Sequence, residues 1–396
     1  DAEELKDGAA AYDRSQEQYA VNEGQKTSFF EYMEEFGEVG VTGREGGGGD
    51  AFAAVKPWLN RIVAPSAVPQ TEPSPPPNEL ELDWVYGYRG QDCRNNIFYN
   101  SQGSIIYHTA KVCIVYEREK HLQRFMLEHT DDIVSIAMHP DGVHVATGAL
   151  GRWPTIIVWN SITLSTVRKL QGFHRRAVTA LNFSKGDGKY LVSCGQDVDH
   201  CIAVYDWRNG NLIANAKGEA RKVMAVDFSP DNSTIVQCGL DHIQFWRRQG
   251  RNLMMRRGIL GKKGRIQPLL SIAWAGPFAV VGTCDGHLYR FEGHMLRGSL
   301  KAHDKSVTAL FSCPDGIVSG GRDRRIKIWS LGLECRHDFD LAKLQDEKSL
   351  KGGVRALCWE PAVNTITVGT RGGEIYELSS INGADLHGGP IPTSHC

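Results

Sequence analysis

The chain has 396 residues, of which 41% are hydrophobic and 23% charged, with a formal net charge of −1. That length can bury a large core, and the balance is that of an ordinary globular protein. No apolar run approaches the roughly 18 to 20 residues of a membrane helix and no signal-peptide pattern opens the chain, so a cytosolic protein without a membrane role is expected.

Charge is unevenly spread. Residues 1–56 hold 13 Asp/Glu against 5 Lys/Arg, net −8, which leaves +7 for residues 57–396. The first 56 residues are polar and contain the run Gly46 to Gly49, so they are predicted to be an acidic, largely irregular tail. Within it, Phe29-Phe30-Glu31-Tyr32-Met33-Glu34-Glu35-Phe36 reads either as a short amphipathic helix that docks on a partner or as weakly structured chain. Residues 57–78 contain Pro65, Pro69, Pro73 and Pro75 to Pro77, whose fixed φ angles predict an extended linker. The chain opens on Asp1 rather than Met, so further sequence at its ends is expected.

From about residue 97 short β-rich runs alternate with Gly, Asp and Asn, and a repeating unit appears. Its first strand is marked by Val134, Val178, Val223, Leu270, Val307 and Val354, at spacings of 44, 45, 47, 37 and 47 residues. Each unit ends in a strand carrying an aromatic, such as Ile156 to Trp159, Ile202 to Tyr205 and Ile326 to Trp329. Several strands per unit at this period predict propeller blades, which bury their apolar faces on one another. A divergent unit built from Asn96–Tyr99, Ser104–Tyr107 and Val112–Tyr116 precedes these six, giving an all-β propeller of about seven blades. Residues 79–117 are assigned to a pre-blade motif plus this first blade, and 118–390 to the others. The ten cysteines stand singly with no C-x-x-C pair and are read as buried, reduced thiols.

Blade 6 carries Ala302-His303-Asp304, then Ser319-Gly320-Gly321-Arg322-Asp323, then Ile326-Lys327-Ile328-Trp329. This resembles the WD-repeat consensus, which implies a buried hydrogen-bonded tetrad of His303, Ser319, Asp323 and Trp329. The chemistry is consistent, since a buried carboxylate needs the imidazole N–H and the indole N–H needs an acceptor. Ser, His and Asp at these places are therefore not read as a catalytic triad. Blade 2 keeps Thr147 and Trp159 but has Arg152-Trp153-Pro154 at the Asp turn, blade 3 has Tyr205 for Trp, and blade 7 has Gly372-Gly373 and Tyr376.

The tract Trp84-Val85-Tyr86-Gly87-Tyr88-Arg89-Gly90 with Asp92-Cys93-Arg94 resembles the hydrophobic HELP motif of the echinoderm-microtubule-associated-protein-like family. Trp159 to Thr166 and Lys301 to Asp304 are similar to that family too. The resemblance implies fused propellers that bind tubulin, so a second propeller is expected to follow, with Trp84, Tyr86, Tyr88 and Arg89 packed in a shared core. Trp84, Tyr86 and Tyr88 alternate and are expected to share one buried strand face. No heptad-patterned coiled coil precedes them.

Residues 247–265 contain Arg247, Arg248, Arg251, Arg256, Arg257, Lys262, Lys263 and Arg265 and no acid. They form either a tubulin-facing patch or an ordinary solvated loop, and Met254 and Met255 give the segment a strand-like apolar middle. No phosphate loop, zinc spacing or converging catalytic set occurs, so no enzyme activity, cofactor, metal, nucleic acid or small-molecule substrate is expected. The leading expectation is a microtubule-associated structural protein of the cytoplasmic cytoskeleton or ciliary axoneme, with tubulin and other cytoskeletal or axonemal proteins as partners. The alternative is a generic WD-repeat scaffold in a signalling or ubiquitin-related complex. A generic propeller has no reason to carry residues 80–95.

Overall fold

Short β-branched and aromatic runs bounded by Gly, Asp and Asn turns make antiparallel strands too short to bury a core singly. In the computed structural model they stack as four-stranded units. The structure describes residues 66–67, 74, 78–218, 221–344, 352–360 and 363–391, all within one compact unit, Gly40–Cys396. The acidic tail, its aromatic patch and most of the Pro-rich linker lie outside the described residues. No helix among the described residues is long and apolar enough to cross a membrane.

Blade 1 consists of β1 (Phe98–Tyr99), β2 (Ile105–Thr109), β3 (Val112–Glu117) and β4 (Leu122–Met126), so it runs nine residues past the boundary expected at 117. Blade 2 holds β5 (Ile133–Met138), β6 (His144–Ala149), β7 (Ile156–Asn160) and β8 (Thr166–Leu170). Blade 3 holds β9 (Val178–Phe183), β10 (Tyr190–Gly195), β11 (Ile202–Asp206) and β12 (Asn211–Ala216). Blade 4 holds β13 (Val223–Phe228), β14 (Ile235–Gly239), β15 (His242–Gln249) and β16 (Asn252–Arg257). Blade 5 holds β17 (Leu269–Ala275), β18 (Phe278–Thr283), β19 (His287–Glu292) and β20 (Met295–Lys301). Blade 6 holds β21 (Val307–Cys313), β22 (Gly316–Gly321), β23 (Arg325–Ser330) and β24 (Cys335–Asp340). Blade 7 has β25 (Val354–Glu360), β26 (Thr365–Thr370) and β27 (Ile375–Ser379), with Asp385 and Ile391 bridging to Leu378 and Ile375 along its outer edge.

Each sheet runs in chain order from inner to outer strand, and blades 3 and 4 are joined by one parallel bridge between Asn215 and Asn252. Inner strands pack on their neighbours around the ring, and β1 against β25 closes it. The fold is thus a seven-bladed, all-β propeller.

Adjacent blades approach closely because a glycine on the second strand faces a valine on the next inner strand. A Cβ on Gly148 would lie 2.8 Å from Val178 Cβ, and one on Gly320 would lie 2.3 Å from Val354 Cγ1. Beside this contact a hydroxyl donates to the same valine's carbonyl: Ser135 Oγ to Val178 O at 2.5 Å, Ser271 Oγ to Val307 O at 3.2 Å, and Thr308 Oγ1 to Val354 O. Among the described residues five cysteines are buried, at 93, 113, 194, 238 and 358, but Cys201, Cys284 and Cys313 are only half-buried and Cys335 is exposed on the outer strand of blade 6, contrary to the expectation for these four.

Ring closure uses residues 84–97. At blade 7 the glycine is Gly369, and Ile97 and the Tyr88 ring stand against it where other junctions have valine. Cys93 Sγ donates to Val134 O at 3.4 Å, so the segment takes the hydroxyl's part toward blade 2. Its backbone is also tied to blade 7, from Asn95 N to Arg355 O at 3.1 Å. Tyr88 is buried and its hydroxyl donates to Asn96 Oδ1. Arg89 forks onto Asp92 at 2.7 and 2.8 Å and reaches Asp132, between blades 1 and 2, at 3.0 Å. Arg94 crosses toward the far side of the ring, its Nη1 3.9 Å from Met224 Sδ on blade 4.

The shared buried face expected for Trp84, Tyr86 and Tyr88 is not formed. Residues 80–91 make no strand, and Gly87 at φ 97° breaks the two-residue alternation, leaving Tyr86 52% exposed. Trp84 is half-buried, its ring 6.1 Å from Tyr116 and 4.7 Å from His121. Unfolding in denaturant should therefore rank the three. Tyr88→Ala should cost about 3 to 5 kcal/mol, Trp84→Ala less and Tyr86→Ala below about 1 kcal/mol. Equal losses at Tyr86 and Tyr88 would contradict this packing.

Candidate functional site

The sequence marks three groups of residues: the blade 6 tetrad, the pre-blade segment described above, and the basic run. In blade 6 the connection from β20 to β21 brings His303 over the second strand. His303 Nδ1 lies 3.0 Å from Asp323 Oδ1, its Nε2 2.7 Å from Ser319 Oγ, and Trp329 Nε1 donates to Ser319 Oγ at 2.8 Å. Ser319 is wholly buried and its oxygen receives the indole N–H, so no substrate carbonyl can reach it. Burial pushes the Asp323 carboxyl up, but the hydrogen bond and charge of His303 outweigh it and hold the group below its ordinary value.

Blade 3 contains a second such chain that the sequence reading passed over. His174 Nε2 is 2.6 Å from Ser193 Oγ, its Nδ1 is 3.4 Å from Asp197, and the buried Tyr205 takes the place in the strand that the indole holds in blade 6. Burial pushes the Tyr205 phenol up to about 12. The signal was present: Phe173-His174-Arg175-Arg176-Ala177-Val178 aligns with Ala302 to Val307, and Ser193 to Asp197 with Ser319 to Asp323. In blade 2, His129 Nε2 meets Thr147 Oγ1 at 2.7 Å, while the buried Trp159 Nε1 makes no hydrogen bond.

Sequence reasoning also missed the polar chain between blades 7 and 1. Thr367 donates to the Tyr99 hydroxyl, Tyr99 donates to the fully buried Glu377, and Arg118 pairs with the other carboxylate oxygen, where His387 Nε2 sits at 2.8 Å. Tyr99 and Glu377 are 278 residues apart, so no local pattern reveals the pair.

The basic run is not a loop. Arg247 and Arg248 lie on β15, Arg251 in the turn, and Arg256 and Arg257 on the outermost strand β16, paired as Arg247 with Met254 and Phe245 with Arg256. Pairing puts Arg247 and Arg256 on one face, with Phe245 toward blade 5, and Arg248 and Arg257 on the other, with Trp246 toward blade 3. Arg248 rests over the Tyr190 ring of blade 3 at 5.0 Å. Lys262 and Lys263 form a short 3-10 turn beyond the hairpin, and Arg265 pairs with Asp285 at 2.9 Å. Arg257 and Arg265 line one cleft of about 190 Å³ with Arg221 and Asp241. All eight side chains are exposed, and among the described residues no carboxylate lies within ion-pair distance of Arg247, Arg248, Arg251, Arg256, Lys262 or Lys263.

One group of metal-ligand type occurs among the described residues: His139 and Asp141 on the turn between β5 and β6, and His144 at the start of β6. The Asp141 amide already donates to His139 Nδ1 at 3.1 Å, and the Asp141 carboxylate accepts the amides of Val143 and His144. Those donors and acceptors are spent on the turn.

Comparison with known proteins agrees with this geometry. A profile described as "Echinoderm microtubule-associated protein first beta-propeller" matches residues 122–378, and the HELP motif profile matches residues 75–114. The chain belongs to the echinoderm microtubule-associated protein family. It is 33% identical to the 77 kDa echinoderm microtubule-associated protein of Strongylocentrotus purpuratus, over 79% of this chain and 48% of that one. It is 34% identical to echinoderm microtubule-associated protein-like 2 of Rattus norvegicus (78% and 49% covered) and 33% to that of Homo sapiens (82% and 52%). The chain thus spans about half the length of these relatives. Among solved structures, the computationally designed Ika8 protein matches 78% of this chain and 90% of its own, with a TM-score of 0.57 and 22% identity, a likeness of fold alone. The HELP profile ends at residue 114, inside β3, so in this member the family motif supplies both the closing segment and most of the first blade.

The buried histidines set an acid limit. Burial holds His129 down at about 4 and His108 at about 3, below the ordinary 6.5. The unfolded chain therefore binds these protons first, and the stability at stake is complete above pH 6.5 and lost as pH falls toward 4. The depressed carboxyls of Asp323 and Asp197 add a further loss as pH drops through their ordinary value of 3.8 and below. The thermal midpoint should fall steadily from pH 7 to 4.5, and a flat profile across that range would contradict the assignment.

Proposed function

We propose that this chain is a structural, non-enzymatic protein that binds microtubules directly through its propeller, on cytoplasmic or axonemal microtubules, partly by electrostatic attraction. The observation that carries this reading is the outer hairpin of blade 4 with the turn after it, where six exposed cations lack carboxylate partners among the described residues. An acidic lattice would compensate that charge. Membership in a family whose members are named for microtubule association supports the choice of lattice. A generic scaffold would not need the segment at residues 84–97, and the propeller's net +7 against the tail's −8 gives the two parts opposite tendencies toward an anionic surface.

Co-sedimentation with polymerised tubulin across a salt series tests this. Exposed charges are screened beyond about 8 Å at physiological salt, so pelleting should weaken as salt rises. Arg256→Glu with Lys262→Glu should weaken binding about tenfold, roughly 1.4 kcal/mol. Deleting residues 1–56 should leave binding unchanged or stronger. Pelleting that requires another cytoskeletal protein would overturn direct binding and favour the scaffold reading, and direct pelleting indifferent to the charge reversals would remove the hairpin from the site.

A further inference from the structure

The loops joining second to third strands sit on the same side of the ring as the connections that carry His303 and His174, as the His303–Asp323 and His174–Asp197 contacts require. Most are short: two residues separate β2 from β3 and two separate β14 from β15. Blades 2 and 3 differ, with six residues in each loop, Leu150–Thr155 and Gln196–Cys201, and each loop carries an exposed apolar side chain. Trp153 is 53% exposed and Val198 is 72% exposed.

Arg175, in the connection entering blade 3, ties the two loops together. Its backbone N–H donates to Asp197 Oδ1 at 2.7 Å, while its guanidinium lies 5.3 Å from the centre of the Trp153 ring. That stacking leaves the guanidinium edge free, and among the described residues neither Arg175 nor the exposed Arg152 has a side-chain carboxylate partner. Most acids on or against these loops are already engaged: Asp197 by His174 and the Arg175 amide, Asp199 by Lys217, and Asp132 by Arg89, while Asp131, beside Gly151, accepts the Asp132 amide through Oδ1.

A single exposed Trp is unremarkable on a protein surface. Here it is held by a cation on a scaffold of two adjoining loops, next to a second uncompensated guanidinium. Trp and Arg are the residue types that dominate binding hot spots, an arginine edge suits a carboxylate, and prior stacking lowers the ordering cost of binding.

We propose that the raised loops of blades 2 and 3, with Arg152, Trp153, Arg175 and Val198, form a docking site for an acidic, flexible peptide segment of a partner protein. Trp153 and Val198 receive an apolar side chain of the peptide while Arg152 and Arg175 bind flanking carboxylates. The site is separate from the blade 4 hairpin and does not depend on the microtubule reading.

The test is fluorescence anisotropy of the full chain with a short fluorescein-labelled peptide of glutamates around one phenylalanine, beside the same peptide with lysines. The glutamate peptide should bind saturably and the lysine peptide should not. Trp153→Ala and Arg152→Glu should each weaken binding about tenfold, equivalent to roughly 1.4 kcal/mol. Arg256→Glu should leave it within about twofold, since that residue lies on another surface. Arg152 has no side-chain hydrogen bond or ion pair to lose among the described residues, so its reversal keeps the wild-type melting temperature and stands as the test even if Trp153→Ala melts early. Absence of saturable binding, equal affinity for the lysine peptide, or indifference to Arg152→Glu would overturn the proposal.

Discussion

Close approach of neighbouring blades is the constraint from which the rest follows. A blade buries its faces only if the next inner strand comes within van der Waals contact of its second strand, and a side chain at Gly148, Gly282 or Gly320 would occupy the space that valine fills. The adjacent hydroxyl-to-carbonyl bond ties each inner strand to the next and helps satisfy that buried carbonyl. Repetition of this pair of contacts sets the ring, and the ring presents the loops of each blade on fixed sides.

A ring built from unequal ends must close with something other than the repeat. Blade 1 has an inner strand of two residues, Phe98–Tyr99, and among the described residues blade 7 has no regular fourth strand. Residues 84–97 make up the first deficit, with Ile97 and Tyr88 against Gly369 and with Gly90 so near Thr370 O that a Cβ would lie 2.0 Å from it. The buried Glu377, held by Tyr99 and Arg118, locks the same junction from the other side. A family motif recognised by its aromatic letters thus acts here as a clasp, and the surfaces proposed for binding lie on blades 2 to 4.

The fold was legible because strand punctuation recurs at 37 to 47 residues, a period that survives substitution of single letters. Finer features were read less well, for separable reasons. Alternation of Trp84, Tyr86 and Tyr88 suggested a strand, but Gly87 in the left-handed region turns the chain between the last two. The apolar middle of the basic run, Met254 and Met255, suggested a strand, but both methionines are exposed and Leu253 is the residue that Asn252–Arg257 turns inward. Blade 3 hid its His174–Ser193–Asp197 chain behind the exchange of Trp for Tyr205, although the His and Asp spacings matched blade 6. Contacts such as Tyr99 to Glu377 join chain ends and have no local signature at all.

Hydrogen exchange followed by mass spectrometry on Gly90→Ala measures the clasp most directly, because that added methyl meets backbone at Thr370 rather than a movable side chain. Amides of β1, β2 and β25 to β27 should exchange faster than in the unaltered chain, while those of blades 3 and 4 keep their protection. Unchanged protection in blades 1 and 7, or loss spread evenly over all seven blades, would contradict closure of the ring by the pre-blade segment.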